Sequence, residues 1–269
     1  MRLVLRVALV ALALPLRTDG DSRVPPCTIP RIDVTALTAE DFVESHRHRS
    51  HLLIRGMMTQ WRAQSRWTWE FFLGPSAATN RAVNVGTGAS LAASGLASAR
   101  PSLTTFVQRS VLQPEKNSNT MFPDEVGDPL YIFDGDFFSG GGRETLRRDF
   151  DLPLEYFPFQ TSQENVTFFA GRAGSGLGFH KHGEAINALV RGRKRWLLYR
   201  PESLSLAMGM DASLSGNQWL QGVYPTLPPD ALPDYECVQE AGEIMCESFQ
   251  TSTKLGPASC VTLSDQIGA

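Results

Sequence analysis

One stretch constrains this chain more than any other: two histidines spaced for a single face of a β-strand, with a short basic turn pattern close behind. Positions 179–184 read Phe-His-Lys-His-Gly-Glu, and from Asn187 the chain continues NALVRGRKRWLLYRP. Side chains two residues apart share one face of a strand, so His180, His182 and Glu184 are expected to align as two imidazoles and a carboxylate. Such a set, with open positions, suits a divalent metal of the kind that non-haem iron enzymes hold. Residues 187–190 and 194–199 are expected to pair as a hairpin around Gly192. The five histidines are His46, His48, His51, His180 and His182. No distal histidine follows the pair.

The remaining patterns point to a mainly β fold. A chain of 269 residues, 42% hydrophobic and 20% charged, can bury one full-sized core. Its 17 prolines and 23 glycines suit a turn-rich β protein better than a helical bundle. Thr38, with Asp41 three residues on, predicts a capped helix that ends near His46. His46, His48 and His51, set among arginines, read as its exposed basic end. Strands are expected at 52–56, 130–134, 166–170 and 235–245, with short helices at 67–73 and 102–112. The run Gly174-Ser175-Gly176-Leu177-Gly178 precedes no helix pattern, which excludes a dinucleotide fingerprint. Several strands of similar spacing behind small helices predict a sandwich or barrel.

At the N-terminus, Arg2 precedes an apolar run over 7–16, followed by small and polar residues. Residues 1–20 therefore read as a secretory signal peptide. The run is short for a membrane span, so no span is expected once the leader is removed. Asn165-Val166-Thr167 is an acceptor triplet for N-glycosylation at Asn165. Cys27, Cys237, Cys246 and Cys260 allow three disulfide connectivities, and the lack of a CxxC spacing argues against a structural zinc site. A net charge of -3 gives no drive toward nucleic acid, and the short run Arg191 to Arg195 does not alter that.

The pieces LTAEDFV, LLIRG, PLYIFDGDFF, AGSGLGFHKHG, NALVRGRKRWLLYRP and YECVQEAGEIM, in this order, resemble the jumonji-C domain of the cupin superfamily over residues 27–245. They look most like an endoplasmic-reticulum luminal branch, which also carries His-x-His at this place. The resemblance implies a double-stranded β-helix, with iron(II) and 2-oxoglutarate as the cofactors of the family's working hydroxylases and demethylases. It implies His180 as first metal ligand and Lys194 as the point charge for the far carboxylate of 2-oxoglutarate. Asn187 and Tyr131 fall where some members contact the same co-substrate. Cys27 and Cys237 sit where that branch has cysteines, which implies a disulfide closing a long loop.

Three departures follow from the same resemblance. His182 stands where Asp or Glu is usual, leaving Glu184 as substitute; Leu177 stands where several active members have a hydroxyl; and the distal histidine is missing. Residues 246–269 are expected to be an irregular tail that leaves the last strand incomplete. The expected protein is thus a luminal or secreted jumonji-C module that binds a protein partner without catalysis. The alternative is an iron(II)/2-oxoglutarate hydroxylase acting on a protein substrate.

Overall fold

The computed structural model describes residues 7–11, 27–75, 80–88, 90–91, 99–112, 129–139, 144–157, 166–182, 184–200, 203, 214–247 and 260–267, with backbone alone for 7–11, 181–182 and 260–267. Two sheets face each other. The larger contains β1 (Val7–Ala11), β2 (Arg31–Asp33), β3 (Leu52–Arg55), β4 (Val85–Thr87), β5 (Leu130–Asp134), β6 (Val166–Gly171), β8 (Ala185–Leu189) and β11 (Ile244–Glu247). The smaller contains β7 (His180–His182), β9 (Arg193–Tyr199), β10 (Tyr235–Glu240) and β12 (Cys260–Ile267). Their orders are β2-β3-β11-β8-β1-β6-β5-β4 and β10-β9-β12-β7. The sheets do not close into a barrel, and two opposed sheets of this kind agree with the double-stranded β-helix that the resemblance implies.

Alternation along the strands sets which sheet face meets which core. On the larger sheet Val166, Phe168, Ala170, Ile186, Ala188, Ile244 and Cys246 turn outward, onto a layer of short helices carrying Trp67, Trp69, Phe72 and Phe106. Thr68 caps the helix Trp69–Leu73 and Ser102 caps Leu103–Phe106, each by accepting from a main-chain N–H three residues on. Thr38 and Asp41 form the expected capping box. Between the sheets, Leu53, Met245, Trp196 and Leu198 make an inner cluster. Tyr131, Phe169, Leu177 and Leu189 make a second. Leu197, Tyr199 and Phe179 pack outside the smaller sheet, under Trp219 of the helix Gly216–Gly222.

Two turns correct the expected pairings. The anticipated hairpin between residues 187–190 and 194–199 does not form, because β8 and β9 belong to opposite sheets. Gly192, with φ of 79°, turns the chain across the gap instead. The single strand expected over 235–245 is likewise two, β10 and β11, divided at Gly242 with φ of 89°. A corner of this kind sends successive strands to different sheets, so each finds its partners far along the chain: β8 pairs with β11, and β9 with β10 and β12.

Both chain ends also differ from expectation. The irregular tail is corrected in part, since Cys246 and Glu247 end β11 and Cys260–Ile267 forms β12, inserted antiparallel between β7 and β9. The sequence pattern missed β12 because Thr, Ser, Asp and Gln interrupt its apolar residues. Val7–Ala11, inside the run read as a leader, lies parallel between β6 and β8. Among the described residues, β1 is what joins β6 and β8 in one sheet.

Candidate metal and co-substrate site

The histidine strand opens from the glycine linker before it. Phe179 is fixed on the outer face by Trp219, ring centroids 4.9 Å apart and nearly perpendicular. Strand alternation therefore gives His180 the inner face. Its Nδ1 lies 2.9 Å from the carbonyl oxygen of Gly178. A carbonyl only accepts, so Nδ1 carries a proton, and a neutral imidazole held this way would present Nε2 as its lone-pair donor. His182 is two residues on, along the same face of β7.

Glu184, the proposed carboxylate, is engaged elsewhere. Its Oε1 accepts from Arg47 Nε at 2.8 Å and its Oε2 from Arg47 Nη2 at 3.1 Å. His48 Nε2 adds a contact at 3.5 Å. A buried carboxylate spanned by one guanidinium has both oxygens committed. Releasing either to a cation would leave Arg47 without its partner and cost part of a buried ion pair. The basic turn is accordingly more than a solvated end, since Arg47 reaches back to clamp the strand junction. His51 is also not exposed: it is buried and meets Tyr235 edge-on.

Lys194 is on the inner face of β9, 3% exposed, in line with Trp196 and Leu198. Its Nζ sits 4.1 Å from the Trp196 ring and 5.6 Å from the Phe169 ring. These are favourable faces for a cation but no substitute for water. Burial holds its pKa at about 7, with the nearby Glu247 carboxylate opposing that drop. Leu198 and His180 are both opposite Thr262, and Lys194 is four residues further along β9. At a strand rise of roughly 3.3 Å per residue, lysine and histidine thus stand about 13 Å apart along the sheet.

Tyr131 and Asn187 complete the expected co-substrate set. Tyr131 is buried against Phe169, centroids 5.9 Å apart, and so shares with Lys194 the same aromatic neighbour. Asn187 is buried in β8 with its Oδ1 lacking a hydrogen-bond partner among the described residues. Its main-chain oxygen accepts from Gln239 Nε2 at 2.9 Å, and Gln239 Oε1 accepts from Trp196 Nε1 at 2.9 Å. Gln239 therefore couples the two sheets beside Lys194, a role that sequence reading missed and for which spacing offers no signal. Glu243, quoted in the sequence only within YECVQEAGEIM, ties Arg31 and Arg55 to the β10–β11 turn.

The disulfide implied by resemblance is present between Cys27 and Cys237. Asn165 lies outside the described residues. The residues do not fit a two-histidine, one-carboxylate iron site. His180 and His182 share a face, Glu184 is held by Arg47, and the other three histidines, His46, His48 and His51, precede the pair in sequence. Among the described side chains no three His, Cys, Asp or Glu groups come close enough to hold a metal ion; those of His182 and β12 are not among them.

A cupin-like domain model matches residues 39–241. The chain is 36% identical over 124 residues to JmjC domain-containing protein 8 of Homo sapiens, covering 46% of this chain and 44% of that one. The Mus musculus protein of the same name is 39% identical over 138 residues, 50% of this chain and 45% of its own. A bifunctional arginine demethylase and lysyl-hydroxylase, psr-1 of Caenorhabditis elegans, is 27% identical over 251 residues, covering 81% of this chain and 55% of that protein. The chain thus spans about half the length of the curated relatives it matches.

Proposed function

Because the chain belongs to the cupin-like JmjC family, we propose that it is a non-catalytic member of the secretory pathway that binds a protein partner. The carrying observation is the Arg47–Glu184 clamp, which engages both oxygens of the carboxylate two residues past the histidine pair. The sequence of β12 supports the same reading, since Cys-Val-Thr-Leu-Ser-Asp-Gln-Ile brings no histidine beside β7. The rival reading is an iron(II)/2-oxoglutarate protein hydroxylase, and inward Lys194 favours it. Iron and 2-oxoglutarate, with dioxygen as the oxidant, would supply the chemistry for hydroxylating a C–H bond, 2-oxoglutarate being converted to succinate and carbon dioxide. In that reading His180 and His182 hold the metal while Lys194, Asn187 and Tyr131 orient the co-substrate.

Calorimetric titration with 2-oxoglutarate, with and without iron(II), separates the two. A complete site couples metal and co-substrate because both bind together, so iron would tighten 2-oxoglutarate binding. We expect no change in affinity on adding iron. Tightening by about tenfold, roughly 1.4 kcal/mol of coupling, would contradict the non-catalytic reading.

The compartment is part of the proposal. A disulfide between Cys27 and Cys237 favours an oxidising environment. In one mature chain, however, Val7–Ala11 is either a removed leader or the strand between β6 and β8. Sequencing the N-terminus of the protein from secreted or luminal material is expected to give a start within residues 19–23, and recovery of Met1 there would contradict leader removal.

A further inference from the structure

We propose that leader removal opens a strand-wide slot between β6 and β8, which binds an extended, uncharged apolar segment of a partner protein. The inference rests on the leader removal included in the proposed function. The main chain of Val7–Ala11 shows what the slot takes. It pairs parallel with β6, from Val7 opposite Val166 to Ala11 opposite Ala170. It also pairs parallel with β8, from Val7 opposite Ile186 to Val10 opposite Leu189. Neighbouring strands lie about 4.8 Å apart, so β6 and β8 stand roughly 9.6 Å apart, the width of one intervening strand. Among the described residues β1 is what bridges them. Taking it away leaves two facing rows of main-chain N–H and C=O groups in mid-sheet, a template to which an extended peptide adds.

The walls define the chemistry of the occupant. β6 reads Val-Thr-Phe-Phe-Ala-Gly and β8 reads Ala-Ile-Asn-Ala-Leu, with no charged residue in either. On the outer face Val166, Phe168, Ala170, Ile186 and Ala188 belong to the core beneath the helices. On the inner face Phe169 and Leu189 belong to the Tyr131 cluster. A charge in the slot would be buried against apolar groups on both faces, so the occupant is uncharged along the slot. One inner-face position differs. Thr167 and Asn187 flank the place of residue 8, and Asn187 Oδ1 has no hydrogen-bond partner among the described residues. A serine at that place supplies a donor. A second copy of the leader-free chain has lost the segment that fits, and its described strands are already paired in its own sheets. The occupant is therefore an unpaired apolar segment of a foreign polypeptide.

The test expresses the full chain through the secretory route, sequences its N-terminus, and titrates it with a fluorescent peptide of residues 5–13, Leu-Arg-Val-Ala-Leu-Val-Ala-Leu-Ala. Binding is expected to saturate at one peptide per chain. Hydrogen exchange should slow at the main-chain amides of 166–171 and 185–189, but not at those of 235–240. Successive residues of a strand direct their N–H groups to opposite sides, so N-methylation of peptide Leu9 and Val10 removes one donor toward each wall and keeps the apolar surface. That peptide should bind at least tenfold more weakly, whereas the Ala8→Ser peptide should bind more tightly. Equal binding of the methylated peptide, or binding without protection of β6 and β8, overturns the slot. A dimer that takes up no peptide overturns the foreign occupant in favour of a second copy. Recovery of Met1 defeats leader removal and the proposal with it. A chain that starts within residues 19–23 and binds no peptide defeats the slot alone.

Discussion

Replacing Lys194 by methionine is expected to stabilise the folded chain, by several kcal/mol near pH 6 and by distinctly less near pH 9. Burial takes the ammonium from 10.5 to about 7. Below pH 7 the lysine is protonated in both folded and unfolded states, so the folded state bears the full cost of the buried charge. Between about 7 and 10.5 the folded state has lost the proton while the unfolded state retains it, and the cost shrinks as pH rises. Stability of the wild type should therefore climb across that window, since the unfolded chain binds more protons. At ~1.4 kcal/mol per pKa unit the ceiling on the gain is about 5 kcal/mol, less what the Trp196 ring returns to the cation. Methionine keeps the unbranched stem and removes the charge. Denaturant midpoints of both proteins at the two pH values check this. Equal midpoints, or a variant less stable at pH 6, would show that Glu247 offsets the burial of Lys194 in full.

Removing the disulfide acts in the opposite direction. Cys27 and Cys237 are 210 residues apart, so their bond closes most of the chain into a loop. Chain entropy alone puts the stabilisation at about 5 kcal/mol, and measured losses for native bridges run at ~2–5 kcal/mol. The bridge also pins the segment before β2, whose Thr28 N–H donates to the Glu236 carbonyl at 3.2 Å. Cys27→Ser is expected to lower the denaturant midpoint to that of wild type in reductant, and to make it insensitive to reductant. A wild-type midpoint unmoved by reductant and matched by the variant would mean that the bridge carries no stability.

Local chemistry was legible in the sequence; connections made across the sheets were not. The Thr38 capping box could be read because cap and acid lie three residues apart. The inward lysine could be read because GRKRW matches a family pattern in which that position faces the co-substrate. Strand existence was legible at 130–134 and 166–170, where β-branched and aromatic residues cluster. Partnership was less so. Gly192 looks like a hairpin turn because a glycine between two apolar runs serves equally well for a corner, and only the facing sheet decides. Arg47 and Glu184 belong to a basic turn and a strand junction far apart in sequence, so their ion pair left no local trace. β12 was missed for a related reason. Its sequence lacks the apolar alternation of a strand buried on one face, and its place is set by the gap between β7 and β9.

In the proposed reading this cupin-like chain keeps the fold and the inward lysine but not a working iron site. Succinate formation from 2-oxoglutarate, measured with the full chain in the presence of iron(II), ascorbate and oxygen, tests it most directly. The account predicts a rate that matches the protein-free control and does not change when His180 is replaced by alanine. Succinate produced above that control, and lost with His180→Ala, would contradict it.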